Sequence, residues 1–270
     1  MKRFLWWLGL ALMVSFCAGP LLWQTLTSLK LDAQLTTLPP LLPRPPSLQS
    51  YSAIFTKTAF VRVIGNSLAV AGLTTLLALV LGSLAAFALA KLRVRRAGWV
   101  LAAVLAVSMF PPIATVSPLY VLVRAFGLRD SIFALVLLYS SFSLPLGIWV
   151  MTSFFGNIPD EIFAAARVDG CSAFRAFTGV MLPLAAPGLV ATGLLVFIMA
   201  WNEFLFALTF TVTTASRTIP VAIALFPGLH EVPWGEIAAA SVVVTLPIAL
   251  LVFAFQRRIV DGLTTGAVKG

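Results

Sequence analysis

The chain has 270 residues, 60% of them hydrophobic and 10% charged, with a formal net charge of +9. Soluble domains carry about 25% charged residues, and a chain this apolar lacks the polar groups to cover a water-facing surface, so lipid is the solvent its composition demands. The positive charge does not point to nucleic acid, because the basic residues sit at the ends of apolar stretches and form no basic face with interleaved aromatics.

Six stretches contain no Asp, Glu, Lys or Arg: Phe4–Leu29, Val63–Ala90, Ala97–Val123, Ser131–Ile158, Ala176–Asn202 and Ile237–Gln256. Each reaches the ~20 residues a helix needs to cross the hydrocarbon core. The ~10-residue alternating segments of a transmembrane β-barrel are not seen. An all-α membrane protein with about six transmembrane helices is therefore expected. The run after Met1–Lys2–Arg3 is too long for a secretory h-region and no A-x-A site follows it, so it reads as an uncleaved first helix.

Lys30–Phe60 follows, with Pro39, Pro40, Pro43, Pro45 and Pro46. It reads as an extended external loop, with a short helix expected near Ser47–Thr58. Pro111, Pro112, Pro118 and Pro145 are expected to bend the third and fourth helices, which meet at a short turn around Gly127–Asp130. Thr213–Trp234 is a second outer segment, broken by Pro220, Pro227 and Pro233. Cys17 and Cys171 lie too far apart in this plan for a disulfide, and the lone His230 gives no metal site.

Six helices put both termini on one side. Taking that side as cytoplasmic places eleven Lys and Arg inside (Lys2, Arg3, Lys91, Arg93, Arg95, Arg96, Arg167, Arg175, Arg257, Arg258, Lys269) and the remaining seven outside. The positive-inside rule favours that orientation, and the basic residues also suit lipid headgroups.

The inner loop from Gly156 to Pro183 differs from the others. Pro159 suits the first turn of a helix, and Asp160 and Glu161 suit the positive end of its dipole. Ala164, Ala165 and Ala166 form a surface without bulk. Asp169–Gly170 ends the helix, with Gly170 able to take left-handed geometry. A second helix is expected over Ser172–Met181, and Pro183 is expected to start the next span. Local physics alone leaves two readings: an amphipathic interfacial helix, or a small-residue helix that seats in another protein's groove.

Pro159-x-Glu161-x-x-x-Ala165-Ala166-Arg167-Val168-Asp169-Gly170, followed by Leu182-Pro183 and Pro187, resembles the EAA loop of ATP-binding-cassette (ABC) importer permeases. Phe110-Pro111-Pro112, Pro118-Leu119, Gly127-Leu128, Phe142-x-Leu144-Pro145 and Trp201-Asn202-Glu203-Phe204 resemble the carbohydrate branch of that family. Gly262-Leu263-Thr264-x-Gly266-x-Val268-Lys269-Gly270 is similar to the tail of MalG-type maltose and trehalose permease subunits.

The resemblance implies a type I ABC importer permease fold with both termini cytoplasmic, in a bacterial or archaeal inner membrane. Residues 1–60 would hold the first helix and external loop, 61–257 the permease core with its coupling loop at 156–183, and 258–270 a cytoplasmic tail. It implies a MalF-like second permease, two ATPase subunits and an external solute-binding protein as partners. ATP and Mg would reside on the ATPases, since this chain has no Gly-x-x-x-x-Gly-Lys-Ser/Thr loop, and the chain would bind no cofactor and be no enzyme. Its solute would be a di- or oligosaccharide such as maltose or trehalose.

By the same resemblance, Pro159, Asp160, Glu161, Ala164, Ala165, Ala166, Asp169 and Gly170 dock the ATPase, and Gly262, Leu263, Thr264, Gly266 and Lys269 reach toward it as a flexible tail. The family pattern has a Glu where Ala164 stands, so shape is expected to carry docking, with Glu161 the candidate for the displaced charge. Glu203 interrupts an apolar span, which marks it for function. With Trp201 and Asn202 it could contact sugar, the partner or the binding protein. An importer for another small solute is the near alternative. An ion-coupled carrier is the distant one, because Glu203 alone offers a coupling group.

Overall fold

Lipid offers no water to satisfy backbone amides, so an apolar chain bonds its backbone to itself, and a helix does this within one segment. The computed structural model follows that rule, with no strand among the described residues. It describes residues 2–35, 41–56, 58–226 and 232–267, excepting the side chains of residues 2 and 257–267. In chain order the helices are α1 (Lys2–Ser28), α2 (Asp32–Leu35), α3 (Gln49–Thr56), α4 (Phe60–Lys91), α5 (Ala97–Ser108), α6 (Pro112–Ala125), α7 (Ile132–Asn157) and α8 (Asp160–Val168). Next come α9 (Ala173–Ala176), a π-helical turn (Phe177–Met181), α10 (Leu182–Leu184), α11 (Ala186–Trp201), α12 (Leu205–Phe210), α13 (Ile219–Ala224) and α14 (Trp234–Ala267).

Four helices are long and apolar enough to cross a membrane, over Arg3–Ser28, Phe60–Lys91, Ile132–Asn157 and Trp234–Gln256. Two bent pairs bring the number to six: Ala97–Ser108 with Pro112–Ala125, at 87°, and Ala173–Leu184 with Ala186–Trp201, at 79°. The first bend lies where prolines were expected to act. Pro111 is extended at φ −59°, ψ 125°, and Pro112 enters the first turn of α6, where its missing N–H costs nothing. Pro145 lies inside the unbroken α7, and Pro118 inside α6.

The fifth span begins later than expected. Pro183 sits in the first turn of the three-residue α10, the chain bends at Ala185, and Pro187 occupies the first turn of α11. A second proline four residues after the first makes the later position the start of the straight helix. The expected helix over Ser172–Met181 is present only as α9, which passes into the π turn.

The chain divides into two units, Met1–Ile64 with Thr218–Ala249, and Gly65–Arg217 with Leu250–Gly270. In the first, Ile54, Phe60, Ala239 and Ala240 form a buried cluster. The short helix expected near Ser47–Thr58 is α3, and its Tyr51 hydroxyl hydrogen-bonds Ser28 Oγ at 2.8 Å. Lys30, which closes the first span, is buried with its Nζ 4.5 Å from the centre of the Trp23 ring. His230, Pro39, Pro40 and Pro227 lie outside the described residues.

In the second unit α4 and α7 approach closely at two glycines. A Cβ on Gly82 would lie 3.5 Å from the Gly147 carbonyl carbon, the kind of small-residue crossing that packs helices in lipid. Ala86, Phe87, Met151, Phe155, Phe177, Met181 and Ala185 form its buried core. Cys17 and Cys171 are both free thiols.

Candidate functional site: the helix after Pro159

Helix α8 is short, and its position is set by what surrounds it. Ile158 is extended at φ −76°, ψ 128°, as the residue before a proline should be. Pro159 is the N-cap, one residue earlier than the first-turn position expected for it, and Asp160 and Glu161 occupy the first turn. At the other end Asp169 caps the helix and Gly170 takes φ +79°. Gly170 N–H donates to Arg167 O and Cys171 N–H to Ala166 O, at 3.2 and 3.0 Å. That pair of bonds is a Schellman motif, and Arg167 Nη1 closes it by donating to Cys171 O at 2.7 Å.

One face of α8 is anchored. Phe163 packs edge-on to Phe87 of α4, with ring centres 5.5 Å apart. Phe87 in turn meets Phe155 and Phe177 at 5.9 and 5.0 Å. Such edge-on or tilted pairs each add roughly 0.5–1.5 kcal/mol beyond area burial. Lys91, the last residue of α4, donates from Nζ to Ile158 O at 2.6 Å and to Asp160 Oδ1 at 2.5 Å. This hydrogen bond, the Lys91 charge and the nearby Arg93 hold the Asp160 carboxyl below the usual carboxylate range.

The other face is open. Glu161, Ala164, Ala165 and Asp169 are exposed, as are Val168 at 86% and, just beyond the Gly170 turn, Phe174 at 68%. Ala166, expected on the same small surface as Ala164 and Ala165, is buried at 8% instead. The reason is helical phase: Ala166 lies three residues from Phe163 and so shares the anchored face. Asp160, read as a free docking charge, is engaged by Lys91, which leaves Glu161 as the exposed acid of the first turn without that tie. Beside α8 lies a cleft of about 640 Å³ lined by residues of the 90–93 segment, Glu161, Ala164 and Arg167. The exposed Val168 and Phe174 were not singled out from sequence. Their signal was an apolar residue at each end of the Gly170 turn.

The Trp201–Asn202–Glu203 set assembles differently from the expectation of a sugar platform. Trp201 is buried and stacks on Phe197, centres 5.6 Å apart and planes 21° from parallel. Asn202 Nδ2 donates back to Ile198 O at 2.8 Å. The Glu203 carboxylate accepts from Phe206 N and Ala207 N at 2.8 and 3.1 Å, and so caps α12. These three residues end one helix and start the next. The buried Tyr139 hydroxyl is coupled electrostatically to Glu203 but has no hydrogen-bond partner of ordinary geometry.

Sequence reading missed a second cluster. Asp130, at φ +59°, accepts from Val212 N at 2.7 Å, Thr213 N at 3.1 Å, Thr213 Oγ1 at 2.6 Å and Ser216 Oγ. Asn66 Nδ2 contacts the carbonyls of Thr214, Ala215 and Arg217 at 3.3, 3.1 and 3.0 Å. Only the left-handed Asp in a short turn hinted at this.

The tail expected to be flexible continues as helix through Gly262, Leu263, Thr264 and Gly266 to Ala267. A glycine costs about 1 kcal/mol in a helix interior, too little to stop one propagating from a long span. Lys269 lies outside the described residues. Among the described residues no group of three or more His, Cys, Asp or Glu is placed to hold a metal ion.

Comparison with known proteins places these features in context. The profile described as "Binding-protein-dependent transport system inner membrane component" matches residues 78–265. The trehalose transport system permease protein SugB of Mycobacterium tuberculosis is 43% identical, with 100% of this chain and 99% of that protein covered. The trehalose/maltose transport system permease protein MalG of Thermococcus litoralis is 38% identical, covering 100% and 98%. Among solved structures, a chain of a bacterial ABC transporter involved in import of the acidic polysaccharide alginate superposes with a TM-score of 0.82 over 95% of each chain, at 19% identity.

Proposed function

This chain belongs to the family of binding-protein-dependent transport system inner membrane components, and on that footing we propose that it is the permease half of an ATP-driven carbohydrate importer. It is a multi-pass membrane protein and a transport component rather than an enzyme. Its solute is a di- or oligosaccharide of the trehalose or maltose kind, a reading supported by the two permeases named above. Both termini face the cytoplasm, as the distribution of Lys and Arg favours.

The supporting observation is the two-faced character of α8, whose root is buried while Glu161, Ala164, Ala165 and Val168 stand open. A separate ATPase subunit seats on that face. It binds ATP and Mg, and closure of two such subunits pulls on α8 and on the matching helix of a second, MalF-like permease. The helix bundles then rock between inward- and outward-open states. An external binding protein delivers the sugar. The C-terminal segment from Gly262 to Lys269 extends toward the ATPases.

The test is reconstitution of the chain with its genomic partner permease, ATPase and binding protein in vesicles. Uptake of a sugar that calorimetry shows to bind the binding protein should require ATP and the ATPase. Uptake driven by an ion gradient with ATP absent overturns the reading.

A further inference from the structure

Lys91 belongs to the basic run Lys91–Arg96, yet it behaves unlike the rest of that run. Arg93, Arg95 and Arg96 are exposed, as residues serving only as orientation signals or headgroup contacts should be. The Lys91 side chain is 2% exposed and turned inward. Its ammonium bonds Ile158 O and Asp160 Oδ1, the residues on either side of Pro159. One point charge thus grips both sides of the joint between α7 and α8, through bonds strengthened by charge.

The second contact between α4 and α8 is Phe87 with Phe163. Phe87 and Lys91 are four residues apart and share a face of α4; Asp160 and Phe163 are three apart and share a face of α8. An aromatic contact alone leaves α8 free to pivot about it. Two contacts one helical turn apart remove that freedom.

From this geometry we infer that Lys91 is a positioning residue, which fixes the angle between α4 and α8 so that a pull on α8 moves α4 with it. The inference rests on the proposed function, since it says how force received at α8 reaches the membrane helices. The pair is built so that its role can be separated from folding. Asp160 is 85% exposed, so removing Lys91 returns its carboxylate to water and leaves no buried charge unpaired. A methionine fills the space of the lysine stem.

The test has two arms. In the full chain with Cys17 and Cys171 replaced by serine, spin labels at positions 73 and 168 report the angle between α4 and α8. The distance distribution should be narrow in the unmodified chain and in Lys91→Arg, and at least about twice as broad in Lys91→Met. In the reconstituted transporter, Lys91→Met should still co-purify with the ATPase and keep its basal ATP hydrolysis. Sugar- and binding-protein-stimulated hydrolysis should fall at least about tenfold, with Lys91→Arg restoring most of it. An equally narrow distribution in Lys91→Met, or undiminished stimulation, overturns the inference. If the unmodified chain never associates with an ATPase, the proposed function fails, while the spin-label arm still decides whether Lys91 sets the helix angle.

Discussion

Helix α8 and the loop at 211–217 are both short connections with exposed residues, and they are held in opposite ways. The loop is tied along its length: Asp130 takes two of its N–H groups and two hydroxyls, and Asn66 takes three of its carbonyls. Helix α8 is tied on one face only, through Phe163, Ala166 and Asp160, and presents Val168 with Phe174 beyond it to the outside. A segment whose polar groups are satisfied internally is ordered without a partner. A segment that leaves apolar side chains open on a rigid root gains from being covered. The contrast separates a part that keeps its own shape from a part shaped to be gripped.

The largest expected effect tests the gripped part. Ala165 is exposed, so Ala165→Trp leaves the chain's own packing and membrane insertion intact. Bulk at the open face should cut ATPase association and ATP-dependent uptake by at least about tenfold, or 1.4 kcal/mol. Normal uptake in this variant would mean that α8 is not a tight dock, and the comparison would collapse.

Next comes the self-held loop. Hydrogen bonds to a charged acceptor are worth about 1.5–3 kcal/mol each, so Asp130→Ala should lower hydrogen-exchange protection of the Val212 and Thr213 amides by roughly 30-fold or more. Burial pushes the Asp130 carboxyl up, but bonds from the Ser216 and Thr213 side chains and the Val212 and Thr213 amides outweigh it and leave it well below the usual carboxylate range. A depressed carboxyl stabilises fully above the ordinary carboxylate pKa of about 4 and loses its effect only as pH falls through the folded value. Protection factors at these amides should therefore match at pH 7 and pH 5. A decline already complete at pH 5 would remove Asp130 as the tie.

Gly170→Val should cost about 1–2 kcal/mol, because φ +79° is strained for a β-branched residue. A Cβ there meets nothing within 4 Å, so the effect is one of backbone alone and should appear as weaker coupling in a chain that still inserts. The smallest effect is Glu203→Gln. Glutamine keeps an acceptor for the α12 amides and loses only charge, so uptake should change less than about threefold. A larger loss would return Glu203 to the solute path.

The membrane spans were legible because freedom from charge over ~20 residues is a strong physical signal. The turn at Gly170 was legible because glycine stood at the position where left-handed backbone was needed. Other features depended on distant partners. Lys91 looked like one more cytoplasmic charge, and its inward turn depends on Ile158 and Asp160, 67 and 69 residues away. Asp130 read as a turn residue because its partners begin 82 residues later. Glu203 in an apolar run was taken for a functional intruder, when the helix ends there and its carboxylate closes the next one. Ala166 followed from helical phase once Phe163 was known to face inward.

The π turn at Phe177–Met181 carries a consequence for which lengths of this segment are tolerated. A π turn holds one more residue than the α-turn it replaces, so it acts as an absorbed insertion. Deleting any one residue within it would restore plain α-helix and turn everything after it by about 100° about its axis. Gly188, where a Cβ would fall 2.4 Å from the Phe154 ring, would then no longer face that ring. Substitutions in this five-residue stretch are therefore tolerated more readily than a change in its length.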